Sequence, residues 1–139
     1  MDPITAVGFA ASILTCIEFG YKLTTGTLEV LKTGNLKDNT HISIVINDFR
    51  AVVKPLSRPP TGKSEHEVAL QELSKNCQEV SQRLSELLEM LKIDPKSSTW
   101  KSARVALRSM RNKGKIGDLE ELLNRYRGQI MTRLALILK

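Results

Sequence analysis

Residues 64–92 read SEHEVALQELSKNCQEVSQRLSELLEMLK and decide the fold class of this chain. Ser64, followed three residues later by Glu67, is a capping box, in which the serine hydroxyl accepts a hydrogen bond at the start of a helix. Apolar residues then recur at spacings of three and four: Leu70, Leu73, Cys77, Val80, Leu84, Leu87 and Leu91. This pattern predicts one long helix that packs at a shallow angle on other helices of the same chain, with coiled-coil dimerisation as the alternative.

The N-terminal part of the chain predicts a second long helix. Pro3 suits the first helical position because its missing N–H would have no partner there. The helical pattern continues to about Thr33, and Gly34 is the predicted C-cap. Gly20 and the cluster 24–26 are points where this helix can kink or split.

Residues 37–54 fit two patterns. The short run 41–46 alternates β-branched residues as a strand does, whereas the window 42–56 places its apolar residues on one helical stripe. A lone strand would have no pairing partner in this chain, so we predict a helix that ends near Pro55. The proline-rich run 57–62 is predicted to be a loop.

Two helices are predicted after the break at Asp94–Pro95, one from Ser98 to Asn112 and one from Asp118 to the end. Their apolar stripes are Trp100, Ala103, Leu107 and Met110 in the first, and Leu119, Leu122, Leu123, Tyr126, Ile130, Leu134 and Ile137 in the second. The chain therefore predicts an all-α fold, an antiparallel bundle of four to five helices. Residues 1–139 are interpreted as one domain from the N-terminal part of a longer protein, because the last helix has no stop signal.

The sequence offers no chemistry for an enzyme. His41 and His66 are the two histidines, and neither has an acidic or thiol partner at catalytic or metal-ligand spacing. Cys16 and Cys77 lie far apart in apolar stretches, which is typical of reduced core thiols in a cytoplasmic protein. Four glutamates are interpreted as solvating charge on exposed faces: Glu86, Glu89, Glu120 and Glu121. We expect no catalytic residue, cofactor or metal site.

The net charge of +6 is concentrated in one segment. Residues 92–115 hold eight Lys or Arg against a single acid. Five of the cations share one side of the predicted helix and are called the basic stripe here: Lys101, Arg104, Arg108, Arg111 and Lys115. A basic amphipathic helix indicates a surface for anionic lipid or an acidic partner, with an ordinary solvated face as the alternative. Nucleic acid is not the expected partner, because no aromatic stacking residues accompany the charges.

The first predicted helix is notable for its lack of charge. From Pro3 to Tyr21 the only charged residue is Glu18, and apolar residues lie on more than one side. Such a helix is either the centre of a bundle or enters lipid, and its length of about 28 Å approaches the ~30 Å of a bilayer core. Gly8 and Ser12 would let two copies approach closely. The residues predicted to enter the membrane are Ile4, Val7, Phe9, Ala11, Ile13, Leu14, Ile17 and Glu18.

Three stretches carry a resemblance to a known family. They are MDPITAVGFA at residues 1–10, IEFGYKL at residues 17–23 and WKSARVAL at residues 100–107. The chain resembles, over nearly its whole length, the N-terminal HeLo and HeLo-like helical domains of fungal NOD-like receptors, which are STAND proteins.

The resemblance implies a function in fungal programmed cell death, heterokaryon incompatibility and innate immunity. It implies a downstream NACHT or NB-ARC module, self-association, and recruitment from the cytoplasm to an anionic plasma membrane on activation. The segment that would insert is Ile4 to Tyr21. The chain is shorter than a full HeLo domain and carries no prion-forming tail, so the alternative is an adaptor that oligomerises through helix–helix contacts without touching lipid.

Overall fold

The computed structural model describes residues 2–28 and 40–139. These residues form five α-helices: α1 (Pro3–Thr25), α2 (Ile42–Val53), α3 (Glu65–Ile93), α4 (Trp100–Asn112) and α5 (Gly117–Leu138). Short 3₁₀ turns follow α2 at Lys54–Ser57 and precede α4 at Pro95–Ser97. The prediction of an all-α helical bundle is confirmed.

The helix α1 is shorter than the sequence pattern predicted. It is capped at its start by Asp2, whose carboxylate accepts from the N–H of Thr5 at 2.7 Å. It ends at Thr25 instead of Thr33, because Gly26 takes the left-handed conformation with φ +68° and turns the chain out of the helix. The predicted C-cap at Gly34 lies outside the described residues.

The segment that fitted two patterns is a helix, as predicted. Its start is later than predicted, since Thr40 is not helical and His41 is the N-cap, accepting from the N–H of Ser43 at 3.1 Å. The apolar stripe of α2 packs inward, and Phe49 stacks on Phe19 of α1 with a ring-centroid distance of 5.4 Å. Burial of this stripe outweighs the local strand propensity of its β-branched residues.

The capping box and the inward side of α3 follow the prediction. The hydroxyl of Ser64 accepts from the N–H of Glu67 at 3.2 Å and donates to the carboxylate of that residue at 2.7 Å. Five of the predicted stripe residues are buried: Leu70, Leu73, Cys77, Val80 and Leu84. Toward the C-terminal end the stripe drifts, so that Leu88 is buried while Leu87 and Leu91 are only half-buried. A spacing of 3.5 residues does not match the 3.6 residues per turn of a straight helix, which explains this drift.

The helix α1 packs against all four other described helices, most extensively against α5. It runs antiparallel to α5, because Glu18 pairs with Arg127 at 2.7 Å while Gly20 lies against Leu123. Pairs at both ends also place α3 antiparallel to α5, namely Arg83 with Asp118 and Arg133 with Glu65. The N-terminal end of α1 therefore lies beside the C-terminal end of α5.

Both cysteines are packing residues. Cys16 and Cys77 are free and buried between α1 and α3, and the sulfur of Cys16 lies 3.3 Å from the hydroxyl of Ser81. Burial raises the pKa of the Cys16 thiol, and burial together with the nearby Cys16 raises the pKa of Cys77 to about 12. Thiols in such surroundings stay protonated and pack as small apolar groups.

Candidate membrane and anion-binding surfaces

The residues predicted to enter a membrane are divided between the core and the surface. Ile13 and Ile17 are fully buried, and Val7, Phe9, Leu14 and Glu18 are half-buried. Ile4 is 85% exposed, and Ala11 is exposed as well. Of the predicted residues, only Ile4 and Ala11 are thus available to a partner without a change in the bundle.

The exposed side of α1 carries no charge. Four exposed residues recur along it and are called the uncharged face here: Ile4, Gly8, Ala11 and Thr15. The hydroxyls of Ser12 and Thr15 donate to the carbonyls of Gly8 and Ala11, at 3.2 and 2.9 Å. Both hydroxyl donors are therefore satisfied within the helix. They would keep their acceptors if an apolar partner covered this side.

Among the described residues, α1 is the one helix long and apolar enough to cross a bilayer. Its most apolar window of 18 residues has a mean hydropathy of 1.5, and 39% of that window is buried. The core helix of a soluble bundle meets the same criterion. The length and hydropathy of α1 are therefore compatible with insertion into a bilayer, and they are equally compatible with a helix that stays in the bundle.

Four residues of the basic stripe lie on α4, whose opposite side is buried, whereas Lys115 lies beyond the end of that helix at Asn112. Thr99 caps the helix by accepting from the N–H of Ser102 at 3.3 Å, and Trp100, Ala103 and Leu107 pack inward. The predicted amphipathic division of α4 is thus present, with Met110 half-buried at the edge of the apolar side. Packing on that side leaves Lys101, Arg108 and Arg111 exposed, whereas Arg104 is half-buried beside Gly26.

Arg108 and Arg111 of the basic stripe bond to described residues outside α4. Arg108 donates to the carbonyl of Gly26 at 3.1 Å, and so binds the residue that ends α1. Arg111 forms a bidentate pair with Glu120 of α5, with Nε–Oε2 at 2.8 Å and Nη2–Oε1 at 3.1 Å. These contacts tie α4 to the end of α1 and to the start of α5.

Two of the glutamates predicted to be solvating charge on exposed faces are half-buried and paired with arginines. Glu89 accepts from Arg50 at 2.7 Å, and the side chain of Glu120 is only 17% exposed because it lies against Arg111. The hydrogen bonds from Arg111 lower the pKa of the Glu120 carboxyl and so favour its ionised form. The nine-residue separation of Arg111 and Glu120 crosses a turn, so helical spacing rules gave no signal for this pair.

The two lysines at the ends of the basic stripe differ from the arginines. Lys101 and Lys115 are exposed, and neither side chain bonds to another residue of the described ranges 2–28 and 40–139. A strongly hydrated ammonium on a flexible stem, unlike a guanidinium already engaged, is free to meet an external anion. The lysines can therefore be changed without breaking an ion pair of the bundle.

The uncharged face and the basic stripe lie toward opposite ends of α1. The stripe contacts Gly26 through Arg108, whereas the uncharged face begins at Ile4, a separation of 22 residues. At about 1.5 Å per residue this is roughly 33 Å. The charges are therefore not placed around the start of the segment predicted to insert.

No family model, curated protein or solved structure matches this chain. Within the described ranges, no group of three or more His, Cys, Asp or Glu side chains is arranged to hold a metal ion. A groove of about 720 Å³ lies between α3 and α5 and is open to solvent. Its polar lining includes Glu72, Asn76, Arg125 and Gln129.

Proposed function

We propose that this domain is a non-enzymatic signalling module that acts at an anionic membrane, where self-association allows α1 to enter the bilayer. The observation that carries the proposal is α1 itself, a helix of 23 residues whose outward side is uncharged over its first four turns. The resemblance to HeLo-like domains extends the proposal to a cell-death effector of a fungal STAND receptor, recruited from the cytoplasm to the plasma membrane and linked to a NACHT or NB-ARC module.

Release of α1 into water is too costly to occur spontaneously. Four large side chains of α1 are no more than 3% exposed: Ile13, Ile17, Phe19 and Leu23. Returning them to water costs roughly 1.5–3 kcal/mol each, roughly 6–12 in total. That cost matches the ~5–15 kcal/mol net stability of a typical domain. The helix must therefore pass directly from the bundle into lipid or into an oligomer.

The basic stripe supplies the first contact in this proposal. Each cation near an anionic leaflet contributes on the order of 1 kcal/mol, and the contribution falls with salt. Because the stripe lies at the C-terminal end of α1, it would bring Glu18 and the last turns of that helix toward the headgroups. The segment from Ile4 up to Glu18 would then be the part that enters the hydrocarbon.

The decisive experiment measures co-sedimentation and dye leakage with vesicles of phosphatidylcholine alone and with added phosphatidylserine. The test variant is Lys101→Glu with Lys115→Glu, since neither side chain bonds to any part of the chain that the structure describes. The control is Lys54→Glu with Lys75→Glu, which makes the same charge change at exposed positions outside the stripe. We expect the wild type to bind and permeabilise phosphatidylserine vesicles, the control to do so too, and the test variant to lose binding at least tenfold, as expected for removal of several surface charges.

Equal loss in the test and control variants would mean that net charge alone drives binding. Absence of binding by the wild type would reject the membrane function.

The alternative function, an adaptor that self-associates through helix–helix contacts, would then be the better supported one. It is favoured by the exposed apolar side chains where the start of α1 meets the end of α5, among them Ile4, Leu136 and Leu138. These can pack on a partner helix without any release of α1, and concentration-dependent self-association in the absence of lipid would support it.

A further inference from the structure

The basic stripe is not an open row of cations. Its fourth member, Arg111, presents Nε and Nη2 as a fork, and the carboxylate of Glu120 fills that fork at 2.8 and 3.1 Å. A phosphate binds arginine through the same two parallel hydrogen bonds as a carboxylate. An incoming phosphate and Glu120 would therefore compete for the same edge of the guanidinium.

We propose that Glu120 is an internal competitor that limits phosphate binding at the basic stripe and makes it depend on displacement of the first turn of α5. This inference rests on the proposed function, because it names what regulates the same anion-binding surface. The ligand is a phosphate group, supplied either by a lipid headgroup or by a soluble polyphosphate.

The position of Glu120 favours this competition. The residue lies in the first turn of α5, where the helix dipole favours a negative charge, and its backbone N–H donates to the carbonyl of Ile116. Since the backbone holds it there, the carboxylate needs little ordering to reach Arg111. An external phosphate must displace a partner that is already in place.

The neighbouring residue Glu121 lacks this role. Its side chain is 76% exposed, and its nearest cation is Arg125 at 4.0 Å, a residue outside the stripe. Glu120 and Glu121 therefore form a matched pair: the same residue type, in the same helix, with the same charge. Of these two glutamates, Glu120 is the one that forms an ion pair with an arginine of the basic stripe.

The competition links anion binding to the closure of the bundle. The Arg111–Glu120 pair joins α4 to α5, and α5 packs along α1. A phosphate bound to Arg111 breaks the Arg111–Glu120 pair, so phosphate binding loosens the first turn of α5. By reciprocity, loosening that turn raises the affinity for phosphate by the same factor.

The test compares Glu120→Gln with Glu121→Gln. Dissociation constants are measured for phosphatidylserine vesicles, for phosphatidylcholine vesicles and for inorganic tripolyphosphate. Both variants change the net charge equally, so any difference between them reports the position of the carboxylate. We expect Glu120→Gln to bind both phosphatidylserine vesicles and tripolyphosphate on the order of fivefold more tightly than Glu121→Gln, the factor that corresponds to freeing Arg111 from one surface ion pair.

A second measurement uses the wild type and needs no variant to fold. Hydrogen exchange is followed with and without tripolyphosphate, and we expect faster exchange in the first turn of α5 when the anion is bound. Equal affinities of the two variants, or unchanged or slower exchange in that turn, would overturn the inference.

The two proposals fail in different ways. Vesicle binding by the wild type without a difference between the variants would leave the membrane function standing and reject the competition. Tripolyphosphate binding that favours Glu120→Gln, without vesicle binding by any variant, would reject the membrane function and assign the competition to a soluble ligand. No binding of either anion by Glu120→Gln would reject both.

Discussion

The two ends of α1 face different surroundings. Over its first four turns the helix presents Ile4, Gly8, Ala11 and Thr15 to solvent, without any charge. At its last turn Gly26 is covered by Arg104 and Arg108 of α4, and Arg108 bonds to its carbonyl. The same helix is thus open and uncharged at one end, and covered by cations at the other.

This difference separates two features that a membrane-active domain needs. The basic stripe stabilises the bundle as well as attracting anions, because Arg108 and Arg111 hold the end of α1 and the start of α5. The uncharged face makes no such ion pair with the residues that the structure describes. A change at the basic end therefore alters both binding and stability, whereas a change at the uncharged face alters what happens after binding.

The largest difference in stability is expected between two isoleucines of α1. Ile17→Ala should lower the free energy of unfolding by about 2–5 kcal/mol, because it opens a cavity in the core. Ile4→Ala should change it by no more than about 0.5 kcal/mol, because that side chain is 85% exposed. Urea unfolding followed by circular dichroism measures both values. Similar losses in the two variants would show that the uncharged face is covered in solution.

A charge at the centre of the uncharged face should affect insertion and leave the fold intact. Ala11→Asp adds an exposed carboxylate near the middle of α1, which costs about 2.5–3.5 kcal/mol in a bilayer centre, or roughly a hundredfold in leakage. Ala51→Asp is the control, at an exposed position of α2. Leakage from phosphatidylserine vesicles is the measurement. Undiminished leakage by folded Ala11→Asp would contradict insertion of α1.

Replacing either of two glycines of α1 and its C-cap with alanine should change the free energy of unfolding, in opposite directions at the two positions. At Gly26 the φ of +68° is unfavourable for alanine, and an added Cβ would lie 2.9 Å from Cγ of Arg104, so Gly26→Ala should destabilise by about 1–2 kcal/mol. Gly8 is helical with open space around it, so Gly8→Ala should stabilise by about 0.5–1 kcal/mol. Thermal unfolding of both variants tests this. A loss at Gly8 would indicate close packing on that face.

The smallest change in stability is expected on acidification, and this change should be localised near the start of α5. Hydrogen bonds from Arg83 and Arg111 lower the pKa values of the Asp118 and Glu120 carboxyls. A folded-state pKa below the unfolded one means that the stabilisation is complete at neutral pH. It is lost as the pH falls below about 4.5 toward the folded pKa values, by about 1 kcal/mol or less for each exposed pair.

Hydrogen exchange at successive pH values, corrected for intrinsic rates, measures this loss. The first turn of α5 should lose protection before the N-terminal half of α1, which has no titratable side chain from Pro3 to Thr15. Simultaneous loss in both segments would show that acid acts on the whole bundle and not at the basic end.

Local signals predicted most of the fold. The capping box at Ser64, the break at Asp94–Pro95 and the repeat of apolar residues act within a few residues of one another, and the structure follows them. The error at the end of α1 also has a local cause. Gly26 takes the left-handed conformation that ends the helix, whereas the apolar pattern beyond it suggested continuation.

The sequence by itself determined that α1 has no charged residue from Pro3 to Ile17 and that four cations of the basic stripe share one side of α4, because both properties depend only on residue type and helical spacing. The tertiary structure alone decided which apolar side of α1 is buried, since both sides fit a helix equally well and only the contacts with its neighbours distinguish them. It also decided that Glu120 occupies Arg111, because a pair across a turn depends on how two helices are placed and not on the period of either.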